Sequence, residues 1–72
     1  MHLSFTIVNG GTSIQLYCDD DGLDALISKL QQARTIGHLH LCSPGCGGNL
    51  LNDHDPWGGS ALGEVIVTTV SD

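Results

Sequence analysis

Leu23, Leu26, Ile27, Leu30 and Ala33 form the single apolar stripe of helical spacing in a chain of 72 residues. Such a stripe has to be buried, and a chain this short buries only about 60% of the surface its unfolded form exposes. The partner for that helix must therefore come from the remaining apolar residues, and these alternate. Leu3, Phe5 and Ile7 interleave with Ser4, Thr6 and Val8; Ile14, Leu16 and Cys18 interleave with Ser13, Gln15 and Tyr17. Period two is the mark of a half-buried strand. Between the two runs stands Asn9-Gly10-Gly11, which supplies the positive φ angles of a tight turn, so the pair reads as a β-hairpin.

The stripe predicts a helix of about three turns from Leu23 to Arg34. Asp21 is the expected N-cap, with Asp24 at the third helical position in a capping-box arrangement. Acids gather at the positive end of the helix dipole, Lys29 and Arg34 lie towards the negative end, and Gly37 stops the element. His38-Leu39-His40-Leu41-Cys42 is a third alternating strand. Glu64 to Val70 is a fourth, with apolar residues of both parities, the pattern of an interior strand covered at least partly on both faces. The order β-β-α-β-β gives an α+β domain spanning residues 1–72, a four-stranded and mainly antiparallel sheet with one helix packed on one face. Leu3, Phe5, Ile7, Ile14, Leu16, Leu39 and Leu41 are expected to meet the helix. Ser4, Thr6, Gln15, Tyr17, His38 and His40 are expected on the opposite, open face.

Charge narrows the function. Two cationic side chains stand against eight carboxylates, a formal net charge of −6. Two cations cannot form the basic patch that releases counterions from a nucleic acid, and an anionic membrane is disfavoured on the same ground. A basic protein is the electrostatic partner this chain suits. The cysteine count is three, unlike the even sets of disulfide-stapled secreted domains. No basic leader followed by an apolar stretch opens the chain, and no apolar run reaches the length of about 20 residues that spans a bilayer. The expected compartment is the cytoplasm.

Three motifs invite chemistry. His38, His40, Cys42 and Cys46 offer nitrogen and sulfur ligands, but the Cys42-x-x-x-Cys46 spacing carries Pro44 and Gly45 and matches no finger signature, so no tightly bound zinc is expected. Asp19-Asp20-Asp21-Gly22 lacks the alternating oxygens of a calcium loop and is read as helix capping. Gly45-Cys46-Gly47-Gly48 lacks the lysine and hydroxyl of a phosphate-binding loop. No cofactor and no catalytic constellation are expected, so the chain is read as a binding protein and not an enzyme. Ser43 to Gly63, with six glycines, two prolines and the only tryptophan, is longer than most connections in compact domains and is the expected functional loop. Trp57 is either a cap on the small core or an aromatic anchor for a partner.

Gly37-His38-Leu39-His40-Leu41, Gly47-Gly48-x-Leu50, Trp57-Gly58 and Glu64-Val65-Ile66 together resemble a family of small bacterial proteins, immunity protein family thirty-two of polymorphic toxin systems. Tyr17 to Ile27 is similar to that family's strand-to-helix junction, and the resemblance runs from about Ser13 to Val70. Cys46 stands where the family pattern carries an aromatic. The resemblance implies a cytoplasmic protein that binds a cognate toxin and blocks it; the charge suits a basic toxin, for example a nuclease. The expected contact surface is Gln15, Tyr17, His38 and His40 with Asp53, Asp55, Trp57 and Glu64. The competing readings are a homo-oligomeric interaction module, in the simplest case a homodimer, and a small metal-binding protein using His38, His40, Cys42 and Cys46.

Overall fold

The two alternating runs near the start of the chain zip together as the hairpin their periodicity predicts. In the computed structural model, which describes residues 1–71, β1 (Leu3–Val8) pairs antiparallel with β2 (Ser13–Cys18), Leu3 opposite Cys18 and Val8 opposite Ser13. The turn holds Asn9, Gly10 and Gly11 at φ of 55°, 66° and 92°, the left-handed region that makes glycine useful there.

The helix, α1 (Asp20–Ile36), has 17 residues and is longer than the apolar stripe alone predicts. Its N-cap is Asp19, not Asp21. One Asp19 oxygen accepts from the Gly22 N–H at 2.7 Å and the other from the His2 N–H at 2.9 Å. Three consecutive aspartates leave the cap register open in sequence; the neighbouring His2 backbone selects the first of them. Those two bonds hold the Asp19 carboxyl below its ordinary value of 3.8, the His2 bond contributing most. A side chain on Gly22 would collide with the His2 carbonyl, so only glycine lets the first helical turn lie against the chain entering β1. At the other end Gly37, at φ 85°, closes the helix with its N–H on the Ala33 carbonyl.

After the helix come β3 (His38–Cys42) and β4 (Glu64–Thr68), antiparallel, with Cys42 opposite Glu64 and His38 opposite Thr68. The class is α+β with the expected element order. The strands, however, form two separate two-stranded sheets instead of one four-stranded sheet. The cause is the long loop. It occupies hydrogen-bonding positions along β1 that a neighbouring strand would take: Asn52 N–H donates to the Leu3 carbonyl at 2.7 Å, and Leu62 N–H donates to the Phe5 carbonyl at 2.8 Å. The Asn52 side chain also accepts from the Leu3 N–H at 2.8 Å. β4 is thus an edge strand: Val65 and Val67 turn towards the core while Ile66 is exposed, which corrects its reading as an interior strand.

The core is Leu3, Leu26, Leu41 and Leu51, with Phe5, Leu39, Leu50, Val65 and Val67 packed around them. Leu51 comes from the loop and was not legible as core. Ile7, Ile14 and Leu16, expected beneath the helix, are exposed. The single helix touches all four strands and serves two hairpins at once, so the turn end of the first hairpin is left uncovered. Ser4, expected on an open face, is fully buried, and its hydroxyl lies 2.8 Å from the Nε2 of His2. Among the described residues no helix is long and apolar enough to cross a membrane.

If the loop is part of the core, Leu51→Ala should lower the unfolding free energy by about 2–5 kcal/mol, the usual loss for a leucine truncated in a packed interior. Urea denaturation measures it, and an unchanged midpoint would mean that Leu51 (2% exposed) contributes no packing.

Candidate functional site

The loop is built, not slack. Ser43 N–H donates to the Gly63 carbonyl, so its two ends are tied together, and Leu50 and Leu51 N–H groups both reach the Cys42 carbonyl. Between these ties Ala61 N–H bonds the Asp53 carbonyl, and His54 bridges Ser60 in antiparallel fashion. At the tip, Asp55 organises a tight turn: its Oδ1 accepts from Trp57 N–H at 2.8 Å and Gly59 N–H at 2.9 Å. Asp53 does the same work lower down. Nearness to the Ser43 hydroxyl, then the Gly45 N–H donating at 3.1 Å, holds its carboxyl below the ordinary value of 3.8.

Trp57 sits on that tip and is 79% exposed, so it does not cap the core. Its ring meets Tyr17 of β2 edge-on, with centroids 5.2 Å apart and planes at 76°. The contact fixes the indole against a strand while leaving most of it in solvent. Tyr17, Asp55 and Trp57 therefore form one group. Gln15 is exposed further along the same strand.

His38, His40 and Glu64 form a second group on the other hairpin. His38 and His40 share one face of β3, and their rings lie 4.8 Å apart between centroids at 77°. Their Nε2 atoms are 2.9 Å from each other. His40 Nδ1 lies 2.9 Å from Glu64 Oε2, and His38 Nδ1 lies 2.7 Å from the Thr68 hydroxyl. The bond from His40 is the main reason the Glu64 carboxyl stays below its ordinary 4.5. The Cys42 thiol donates to the same Glu64 oxygen at 3.7 Å. Thr68 was missed in the sequence, although the alternation of Glu64, Ile66 and Thr68 places all three on the histidine face. Asn52, which ties the loop to β1, had no signal beyond its type.

The expected single surface is thus two surfaces, one per hairpin, and no hydrogen bond or ring contact among the described residues joins them. Of the four candidate zinc ligands the structure brings His38 and His40 together, while the Cys42 thiol is turned to Glu64. Cys46 lies against Gly63, and among the described residues no group of three or more His, Cys, Asp or Glu side chains is gathered for a metal. All three cysteines are free. Burial, then the Glu64 charge, pushes the Cys42 thiol above its ordinary 9.0, which keeps it protonated and a poor nucleophile at neutral pH. No family model, no curated protein and no solved structure matches this chain.

Asp53 gives a test of the loop geometry. A carboxyl lowered by folding stabilises the native state above its unfolded value, and the contribution is lost as pH falls through the lower folded value. The Gly45 amide resonance, which reports on Asp53, should accordingly titrate with a midpoint under 3.8. A midpoint at or above that value would mean that the Gly45 bond to Asp53 is not formed in solution.

Proposed function

We propose that this chain is a small immunity protein of the cytoplasm, which binds a basic toxin protein and blocks it without catalysing a reaction. The observation that carries the reading is Trp57: a single large aromatic, exposed, held on a hydrogen-bonded tip and steadied by Tyr17. Tryptophan in such a position is the usual anchor of a protein interface, and pre-ordering the tip removes an entropic cost of binding. The formal charge of −6, with Asp53 and Asp55 in the loop and Glu64 beside it, supports attraction to a basic partner and faster association. The family resemblance supplies the word toxin; charge and Trp57 support the partner's chemistry. Gln15 and Tyr17 belong with Trp57 in this surface, and His38 and His40 are proposed as a second, separate contact on the other sheet.

The experiment is a pull-down with the protein encoded immediately upstream, followed by affinity and thermal unfolding for Trp57→Ala and His40→Ala. Trp57→Ala should stay folded and weaken binding by about 2 kcal/mol or more, roughly thirtyfold. Full affinity in both folded variants would remove the proposed surface.

A homodimer is the second reading, and one observation favours it. Leu23, Ile27 and Leu30 line one flank of α1 at 42–46% exposure, and Ile14 on β2 is 65% exposed. The outer edge of β2 is unpaired, and Ser13–Cys18 carries none of the charges or prolines that blunt an edge. A folded monomer of 7.5 kDa is expected to expose about 4,250 Å², whereas this chain exposes 4753 Å². Two copies would hide a surplus of about 1,000 Å², the lower end of a specific interface. Sedimentation equilibrium should show dimers that Ile27→Asp dissociates; a wild-type monomer at high concentration would dismiss this reading.

A further inference from the structure

The two histidines of β3 have an arrangement that partner binding does not require. Residues two apart on a strand share a face, but nothing about strand geometry makes their ring nitrogens converge. Here the two Nε2 atoms lie 2.9 Å apart, within hydrogen-bond distance of each other, and both Nδ1 atoms are held from behind, by Glu64 at 2.9 Å and by the Thr68 hydroxyl at 2.7 Å. A carboxylate only accepts, so the His40 Nδ1 carries the hydrogen and the His40 Nε2 lone pair is turned outward. The Thr68 hydroxyl can accept from His38 Nδ1–H in the same way. That hydroxyl can equally donate to His38 Nδ1, and the neutral His38 Nε2–H then donates to His40 Nε2, so the pair is hydrogen-bonded in the metal-free chain and a bound metal would replace the shared hydrogen.

We propose that His38 Nε2 and His40 Nε2 form a surface chelate for a late divalent transition metal of tetragonal preference, such as Cu²⁺ or Ni²⁺, with water completing the coordination. Three points lead to this class. Neutral imidazole nitrogen is the ligand these metals favour over the hard cations, which take oxygen. Nδ1 groups anchored on a carboxylate and a hydroxyl are the outer-shell supports that orient metal-binding histidines. The spacing then selects the geometry. Two nitrogens roughly 2.0–2.1 Å from a metal stand about 2.9 Å apart in adjacent square positions, but about 3.3–3.4 Å apart in a tetrahedron. The 2.9 Å at which the hydrogen-bonded pair already stands is closer to the square arrangement, so that geometry asks for the smaller movement of the rings. This site differs from a four-residue zinc site: it has two protein ligands, and Cys42 is engaged with Glu64. It is independent of the toxin-binding reading, because metal affinity is measured on the isolated chain.

Ni²⁺ is the probe, since it does not oxidise the three free thiols. Calorimetric titration of the full chain should give one Ni²⁺ per chain with a dissociation constant on the order of micromolar, as two imidazoles and water permit, and Ni²⁺ should bind more tightly than Zn²⁺. His38→Ala and His40→Ala should each weaken binding at least tenfold with unchanged circular dichroism. Glu64→Gln, which loses only the outer-shell charge, should weaken it by roughly tenfold. His2→Ala and His54→Ala should leave it unchanged. Absence of saturable Ni²⁺ binding, equal binding in the His38 and His40 variants, or loss of binding in His2→Ala or His54→Ala would overturn the site. Zn²⁺ binding more tightly than Ni²⁺ would overturn the tetragonal assignment.

Discussion

The backbone hydrogen bonds between the loop and β1 are the interaction on which the rest of this structure depends. Asn52 and Leu62 take the Leu3 and Phe5 carbonyls, and the Asn52 side chain takes the Leu3 N–H. A lone two-stranded hairpin is marginal in water, and this chain has two of them. Each of these bonds fills a backbone group that would otherwise be left at a sheet edge. They also draw Leu51 into the core beside Leu3 and Leu41. The segment that looks most dispensable in the sequence is therefore the one that fastens the two hairpins together under a single helix.

That economy has a consequence at the surface. One helix stretched over two hairpins cannot cover both, and apolar side chains along α1 and β2 stay in solvent. Patches of that kind on a small domain commonly mark contact with another chain. The net charge of −6 keeps such a surface dispersed without removing its affinity for apolar partners. The acidic loop and the apolar flank are chemically distinct, so each suits a different partner.

On the second hairpin the strand register acts as the positioning device. Thr68 lies opposite His38 and Glu64 opposite Cys42, so each histidine finds its support from β4 and not from its own strand. Shifting the pairing by one residue would turn Glu64 and Thr68 to the core and the valines to solvent. Burial of Val65 and Val67 fixes the histidine row indirectly, through the apolar face of the same strand.

The sequence by itself determined the local elements, because they rest on local physics. Alternation from Leu3 and Ser13 gave the hairpin, Asn9-Gly10-Gly11 gave the turn, and Gly37 gave the helix end. The parity of His38 and His40 put them on one face. Tertiary structure decided what depends on contacts between distant residues. Asp19 and not Asp21 caps the helix because His2 reaches it across the chain. Leu51 is core while Ile14 is not, because the loop competes with a neighbouring strand for the edge of β1. Trp57 is exposed because Asp55 ties its backbone into a tip that leans on Tyr17. Periodicity records which side chains share a face; it carries no information about which backbone edge a distant loop will fill.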